Sequence, residues 1–312
     1  MQLNGSSVRN LELFRNQTDG KERGSLLWVL NQTNTRFGSR LLRHWIAKPL
    51  RSVEEIRRRL EAVQELTEAP ACMARLQSVL LTLPDVEKAL ATIVHGKCSS
   101  SDFYQACDAL HRVEQTVKQE SPQVQQLNSS LLRSLMTDIG ELLDGVGDWV
   151  NGLNSSAAKS GDKTQIFCDE TQFPELVAVK ENINATLTGI HNHRRDIRLQ
   201  LKMPALDYTT VLGVEFMVEI KNTNLKIVPH DWQKISSTKA VSRFHTPFIV
   251  EAYKELSQQR EQLQITANQC WRKYLTLFER CYPGYRRAVH HLAAIDCLMS
   301  LAHVAKKHGY VK

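Results

Sequence analysis

Apolar residues recur along most of this chain at helical spacing, and two series are long. The first falls at Leu176, Val179, Ile183, Leu187, Ile190, Ile197 and Leu201. The second falls at Ile249, Tyr253, Leu256, Leu263, Ala267, Cys270, Tyr274, Leu277 and Cys281, in a 4-3 pattern with one polar break at Arg260. Both predict long amphipathic helices with a coiled-coil-like seam. The first would span roughly 40 Å at 1.5 Å per residue. Between them the period changes. Phe216, Val218 and Ile220 alternate with Met217, Glu219 and Lys221, the period-2 pattern of a half-buried strand. Leu225, Ile227 and Val228 form a second short apolar run that Pro229 ends, with Asn222-Thr223-Asn224 as the turn between the two. Pro204 and Pro247 stand at the junctions, where helices stop or start. The pattern predicts a long antiparallel two-helix arm with a small β-rich tip at about 213–247, carried away from the main body.

The rest of the chain reads as helices. Val8–Phe14, with Leu11 and Leu13 alternating, predicts a short extended segment, and Asp19-Gly20 a turn. A helix begins within Ser25–Asn31. Another runs from Thr35–Gly38 to Lys48-Pro49, with Trp45 expected in the core. Ser52 and Glu55 form a capping box, followed by Ile56, Leu60, Val63 and Leu66 on one face. Pro84 opens a helix whose first-turn acids, Asp85 and Glu87, suit the macrodipole rather than catalysis. Ser99–Glu120 and Val124–Asp138 predict further helices. Asn151–Gly161, polar and rich in breakers, reads as an internal linker, and Tyr285–His308 as a last core helix. The fold class is mainly α.

Composition agrees. In 312 residues there are only 14 Gly and 9 Pro, and 42% hydrophobic content is enough for a packed core. No run of 18 apolar residues predicts a membrane span, and Met1–Arg9 lacks the apolar core of a secretory signal. The seven Cys are odd in number and contain no C-x-x-C pair, so they read as reduced, mostly buried residues of a cytosolic or nuclear protein.

Charge picks out one stretch. The net charge is +7, and Lys221, Lys226, Lys234, Lys239 and Arg243 face Asp231 alone between Lys221 and His245, five minus one or +4. Hydroxyls are interleaved at Thr223, Ser236, Ser237, Thr238, Ser242 and Thr246. Cations with small hydroxyl donors, and no pair of catalytic carboxylates, suit contact with a phosphate backbone. A solvated basic loop is the plain alternative. Trp232 and Phe244 are expected to pack the tip's small core rather than stack on bases, which a duplex does not expose.

Other groupings carry less. His290, His291, Asp296 and His303 lack the convergent geometry of a metal site. His191 and His193 fall on a basic surface with Arg194, Arg195 and Arg198. Gly161-Asp162-Lys163-Thr164 lacks the full phosphate-loop pattern. No Ser/His/Asp or Cys/His arrangement is evident, so no catalytic residue is expected.

The stretch NLELFRNQTDGKERGSLLWVLNQTNTRFGSRLLRHWIAKPL (Asn10–Leu50), with RSVEEIRRRLEAVQEL after it and the LPDVE element at Leu83–Glu87, resembles the MutS family of DNA mismatch-repair proteins. GSLLW, STKAVSRFHTPFIVE and AVHHLA are most similar to the eukaryotic third-homologue branch, which specialises in insertion–deletion loops. The resemblance covers nearly all of Val8–Lys312. It implies that 1–174 and 263–312 form the family's lever, or core, and that 175–262 form the arm helices and clamp. Mismatch-binding, connector and ATPase domains would lie outside this stretch, so no enzymatic activity, cofactor or metal is expected of these residues; full-length relatives use ATP and Mg. The resemblance also implies a nuclear protein that contacts double-stranded DNA, pairs with a second, different MutS homologue, and has no membrane role. Lys239 and Arg243 match the family's basic clamp contacts most closely. Lys221 and Lys234 follow, Ser237 and Thr238 are hydroxyl donors to phosphate, and Arg194, Arg195 and Arg198 are a flank. A helical scaffold that binds another protein without any DNA role is the competing reading.

Overall fold

The computed structural model describes residues 3–311 as thirteen α-helices and one four-stranded sheet. The backbone forms two compact units: Asp169–Trp271 is one, and the stretches up to Cys168 and from Arg272 form the other.

The flanking unit is helical. Its elements are α1 (Gly5–Asn10), α2 (Leu26–Leu30), α3 (Arg36–Ala47), α4 (Val53–Glu68), α5 (Ala74–Leu80), α6 (Val86–Val94), α7 (Ser100–Val124), α8 (Ser130–Leu142), α9 (Val146–Asn151) and α10 (Ser155–Ser160). The sequence marks the helix starts. Asn4, Ser25, Thr35, Ser52, Asp85, Ser99, Ser129 and Asn154 each accept a backbone N–H of the first turn. The last helix of this unit, Tyr282–His308, packs against α3, α4 and α8. It is long and apolar enough to cross a membrane by length and composition, but most of its apolar residues are buried in the core of this unit. Its Asp296 is wholly buried. There the carboxylate accepts from Asn34 N (2.9 Å), Thr35 N (2.9 Å), the Thr35 hydroxyl (2.6 Å) and the Asn34 amide (3.1 Å). A Cβ on Gly38 would meet Asp296 Oδ2 at 2.2 Å, so the glycine permits this close approach. Arg40 joins α3 to the start of α6 by donating to both Asp85 and Glu87. The first-turn acids thus serve packing, and Arg40's hydrogen bonds hold the Asp85 carboxyl below its ordinary range.

Several expectations fail here for definable reasons. Val8–Phe14 is not extended: Asn4 caps a helix over Gly5–Asn10, and Leu11 is exposed while Leu13 is buried. On α4 the buried residues are Ala62 and Leu66, whereas Ile56 and Leu60 are exposed. Trp45 meets its expectation only in part: it packs on the cluster of Leu27, Leu42 and Cys297, but is half-buried and lies under the Arg59 guanidinium, 3.6 Å from the ring centroid. Asn151–Gly161 is not a linker. Its Asn and Ser residues cap and turn the chain, while Leu153 and Ala158 are buried and Ser100 donates to the Ala158 carbonyl. Cys107, Cys270 and Cys297 are buried, Cys98 and Cys281 are half-buried, and Cys168 is exposed. The side chain of Cys72 lies outside the described residues.

Candidate nucleic-acid interface

The unit Asp169–Trp271 is built on α11 (Pro174–Leu201) and the part of α12 (Pro247–Glu279) that it contains. Proline opens both helices, as its fixed φ and missing donor favour. Lys202, with φ 55°, ends α11 in the left-handed region, and the Thr246 hydroxyl caps α12 by accepting from Ile249 N at 3.1 Å. Contacts run in opposite order along the pair. Glu175 meets Cys270, Thr186 meets Gln259 at 3.0 Å, Ile190 packs with Ala252 and Leu256, and His193 lies against Thr246 and Phe248. Numbers that fall on one helix rise on the other, so the two are antiparallel.

The sheet comprises β1 (Tyr208–Val211), β2 (Val214–Lys221), β3 (Gln233–Ser237) and β4 (Val241–His245), antiparallel throughout in the order β1-β2-β4-β3. The expected strand over Leu225–Val228 is absent. Asn222–Ile227 is a 3-10 turn with Leu225 and Ile227 exposed, and β2 finds its partners in residues 208–211 and 241–245 instead. The apolar run there is too short and too solvated to fill a ladder. Val218 and Phe244 are paired across β2 and β4, so they share a face. That face, which includes Ile220, packs with Ile197, Leu201, Leu206, Trp232 and Ile249, with Trp232 and Phe244 in the core as expected.

A bulge sets the angle of β2. Thr209 pairs with Met217 and Val211 with Val214, so β2 carries one extra residue. Phe216 takes φ 60°, an outlier for a bulky residue. Its ring meets Tyr208 and Tyr253 edge-on, and its neighbour Glu215 accepts from Arg260 at 2.7 Å. The polar break in the second helical seam is thereby explained: Arg260 reaches the bulge.

The basic residues divide into two groups. Arg243 is opposite Glu219 in the ladder and donates to it from Nε at 2.9 Å and Nη2 at 2.8 Å; its side chain is 15% exposed. Arg194 pairs with Asp207, whose carboxyl that hydrogen bond holds below its ordinary range, and Arg198 Nε donates to the Leu206 carbonyl at 2.6 Å. These three cations pin the fold together. His193, expected on the surface, is half-buried against Thr246 and Phe248, and burial holds its pKa down. Burial likewise lowers His245, which contacts the Glu215 carbonyl at 2.9 Å.

Lys221, Lys234, Lys239 and Arg195 are exposed, and no described ion pair engages them. Lys221 pairs with Val241, and Lys239 lies in the β3–β4 turn two residues earlier, so both occupy one end of the sheet. Ser237 and Thr238 are exposed at that same end. Lys226, also exposed, lies on the 3-10 turn that follows Lys221. Lys234 stands farther along edge strand β3, beyond a bulge at Ile235, and Arg195 is on α11.

Residue types alone could not have revealed Asn222. Its amide Nδ2 donates to the carbonyls of Thr238 and Lys239, both at 3.0 Å. Its Oδ1 accepts from the Ser242 hydroxyl at 2.8 Å, and its backbone N–H donates to Ala240 O at 2.9 Å.

Gly161–Thr164 does not fit a phosphate. In Gly161–Thr164 the Asp162 carboxylate accepts from Thr164 N at 2.9 Å and from its hydroxyl at 2.7 Å, placing negative charge where a phosphate loop needs donors. Among the described residues no group of three or more His, Cys, Asp or Glu is placed to hold a metal.

The family model for MutS domain III matches residues 6–302. The DNA mismatch repair protein Msh3 of Homo sapiens and that of Mus musculus are each 43% identical over 314 residues, covering 100% of this chain and 28% of theirs. MSH3 of Mycosarcoma maydis is 34% identical over 316 residues, with 27% of its length covered. The chain thus spans little more than a quarter of these relatives.

Proposed function

The chain belongs to the MutS family, and from that membership we propose that the end of its sheet grips the backbone of double-stranded DNA without reading bases, in the service of mismatch repair. The observation that carries this reading is the gathering of Lys221 and Lys239 at one end of the sheet, exposed and without a described ion pair, with Lys226 on the turn that follows Lys221. Exposed lysines with a neighbouring hydroxyl suit phosphates, contacts that position a protein on DNA without reading its sequence. Ser237 offers a free hydroxyl. The Thr238 hydroxyl is already engaged, accepting from Val241 N at 3.2 Å, and so acts mainly in the turn. Lys234 and Arg195 extend the contact as a flank. Arg243, Arg194 and Arg198 support the surface from within.

In this proposal Asp169–Trp271 is the clamp and the helical unit the lever of a nuclear protein. That protein would pair with a second, different MutS homologue on insertion–deletion loops and mismatches. ATP and Mg have no step in these residues. The test is a salt titration of duplex binding by fluorescence anisotropy. The expected result is a linear fall of log K with log salt, equal for unrelated sequences, with dissociation constants on the order of 10⁻⁴–10⁻⁶ M. Undetectable or salt-insensitive binding would favour a helical scaffold for a protein partner instead.

A further inference from the structure

We infer that Asn222 is the positioning residue of this interface: it touches no phosphate itself, but its side chain fixes the turn that presents Lys239. The inference rests on the DNA reading above and deepens it.

The β3–β4 connection is tight, and its two central residues are Lys239 and Ala240. Favoured two-residue hairpin turns need positive φ, and therefore Gly or Asn. Neither residue is of that kind, and neither takes positive φ. Closure therefore depends on side chains. The Thr238 hydroxyl accepts from Val241 N at 3.2 Å, replacing one backbone bond of the closing pair, while Thr238 N donates to Val241 O at 2.8 Å. Asn222 does the rest from outside the hairpin. One amide group holds the carbonyls of Thr238 and Lys239 together, each at 3.0 Å.

Those two carbonyls belong to the turn itself, on either side of the Lys239 Cα. Asn222 occupies them, and Ser242, itself buried, orients the amide through its hydroxyl. Asn222 directly follows Lys221, but the two carbonyls its amide holds belong to Thr238 and Lys239, so its side chain acts on the turn that carries Lys239. A cation on a fixed turn loses less freedom on binding than one on a mobile loop.

The test is a double-mutant cycle on duplex binding. Asn222→Ala removes two side-chain donations and is expected to weaken binding about fivefold, the ordering cost of one long side chain, and no more than Lys239→Ala itself. In the Lys239→Ala background the same change is expected to cost less than twofold, because it acts through Lys239. Ser242→Ala, which loosens the amide without removing it, is expected to cost about twofold and to show the same dependence on Lys239. Circular dichroism melts show whether each variant is folded, and Ser242→Ala carries the test if Asn222→Ala is not. Equal losses with and without Lys239 would overturn the inference. If Lys239→Ala weakens binding and neither partner variant does, the positioning role alone fails. If Lys239→Ala has no effect, the contact beneath both readings fails.

Discussion

The Arg243 guanidinium is clasped between strands by Glu219, while Lys239, four residues earlier, extends into solvent. The two cations should therefore fail in different ways. Arg243→Ala leaves Glu219, itself 35% exposed, without its partner. Stability should fall by about 1–3 kcal/mol, while the salt dependence of DNA binding stays unchanged in the folded fraction. Lys239→Ala should do the reverse. Urea melts beside salt titrations separate the two, and a reduced salt slope for Arg243→Ala would contradict this division. The sequence showed both residues as basic positions of one motif. It could not show that Glu219, 24 positions away, is opposite Arg243, because that depends on register.

Titration also belongs at this scale. Burial holds His193 and His245 below the ordinary imidazole range, so both are neutral in the fold. The unfolded chain takes up these protons first, at about pH 6.5. Their contribution is therefore complete above that pH and is lost as pH falls through it toward the lower folded values. Hydrogen exchange of β2 and β4 amides, corrected for intrinsic rates, should show protection dropping between pH 7 and pH 5.5. Constant protection over that window would contradict the sign.

Among the elements, the long helices were legible because many repeats support one period. Both appear as α11 and α12, and the departure at Arg260 has a structural cause in Glu215. The cap at Ser52 was legible for a local reason, one side chain meeting one nearby N–H, although only the Ser52 half of the expected capping box is described; the helix starts at Ser25, Thr35 and Ser99 were legible as starts. The sheet was legible only as a β-rich tip. Strand β2 stood out by its alternation, whereas β1, β3 and β4 are short and hydroxyl-rich and are defined by their pairing. The apolar run at Leu225–Val228 misled because four residues cannot distinguish a strand from a turn. The bulge at Phe216 was out of reach altogether, since it depends on aromatic partners contributed by β1 and α12.

For the molecule as a whole, the net charge of +7 says little about fold; its distribution is what bears on function. Of the nine expected contact residues, Arg194, Arg198 and Arg243 are engaged inside the protein and the Thr238 hydroxyl within its own turn, while Lys221, Lys239 and Ser237 are exposed at one end of the sheet. The polar stretch Asn151–Gly161 shows the limit of composition as a guide to organisation: its polar side chains satisfy its own backbone, and its small apolar ones are buried. The central claim is that Lys221 and Lys239 each neutralise a DNA phosphate. Its most direct test is the salt slope of duplex binding for the parent chain and for Lys221→Glu/Lys239→Glu. The account predicts that the slope flattens by about two units, on unrelated duplex sequences alike, as expected for two lost contacts; identical slopes in parent and variant would contradict it.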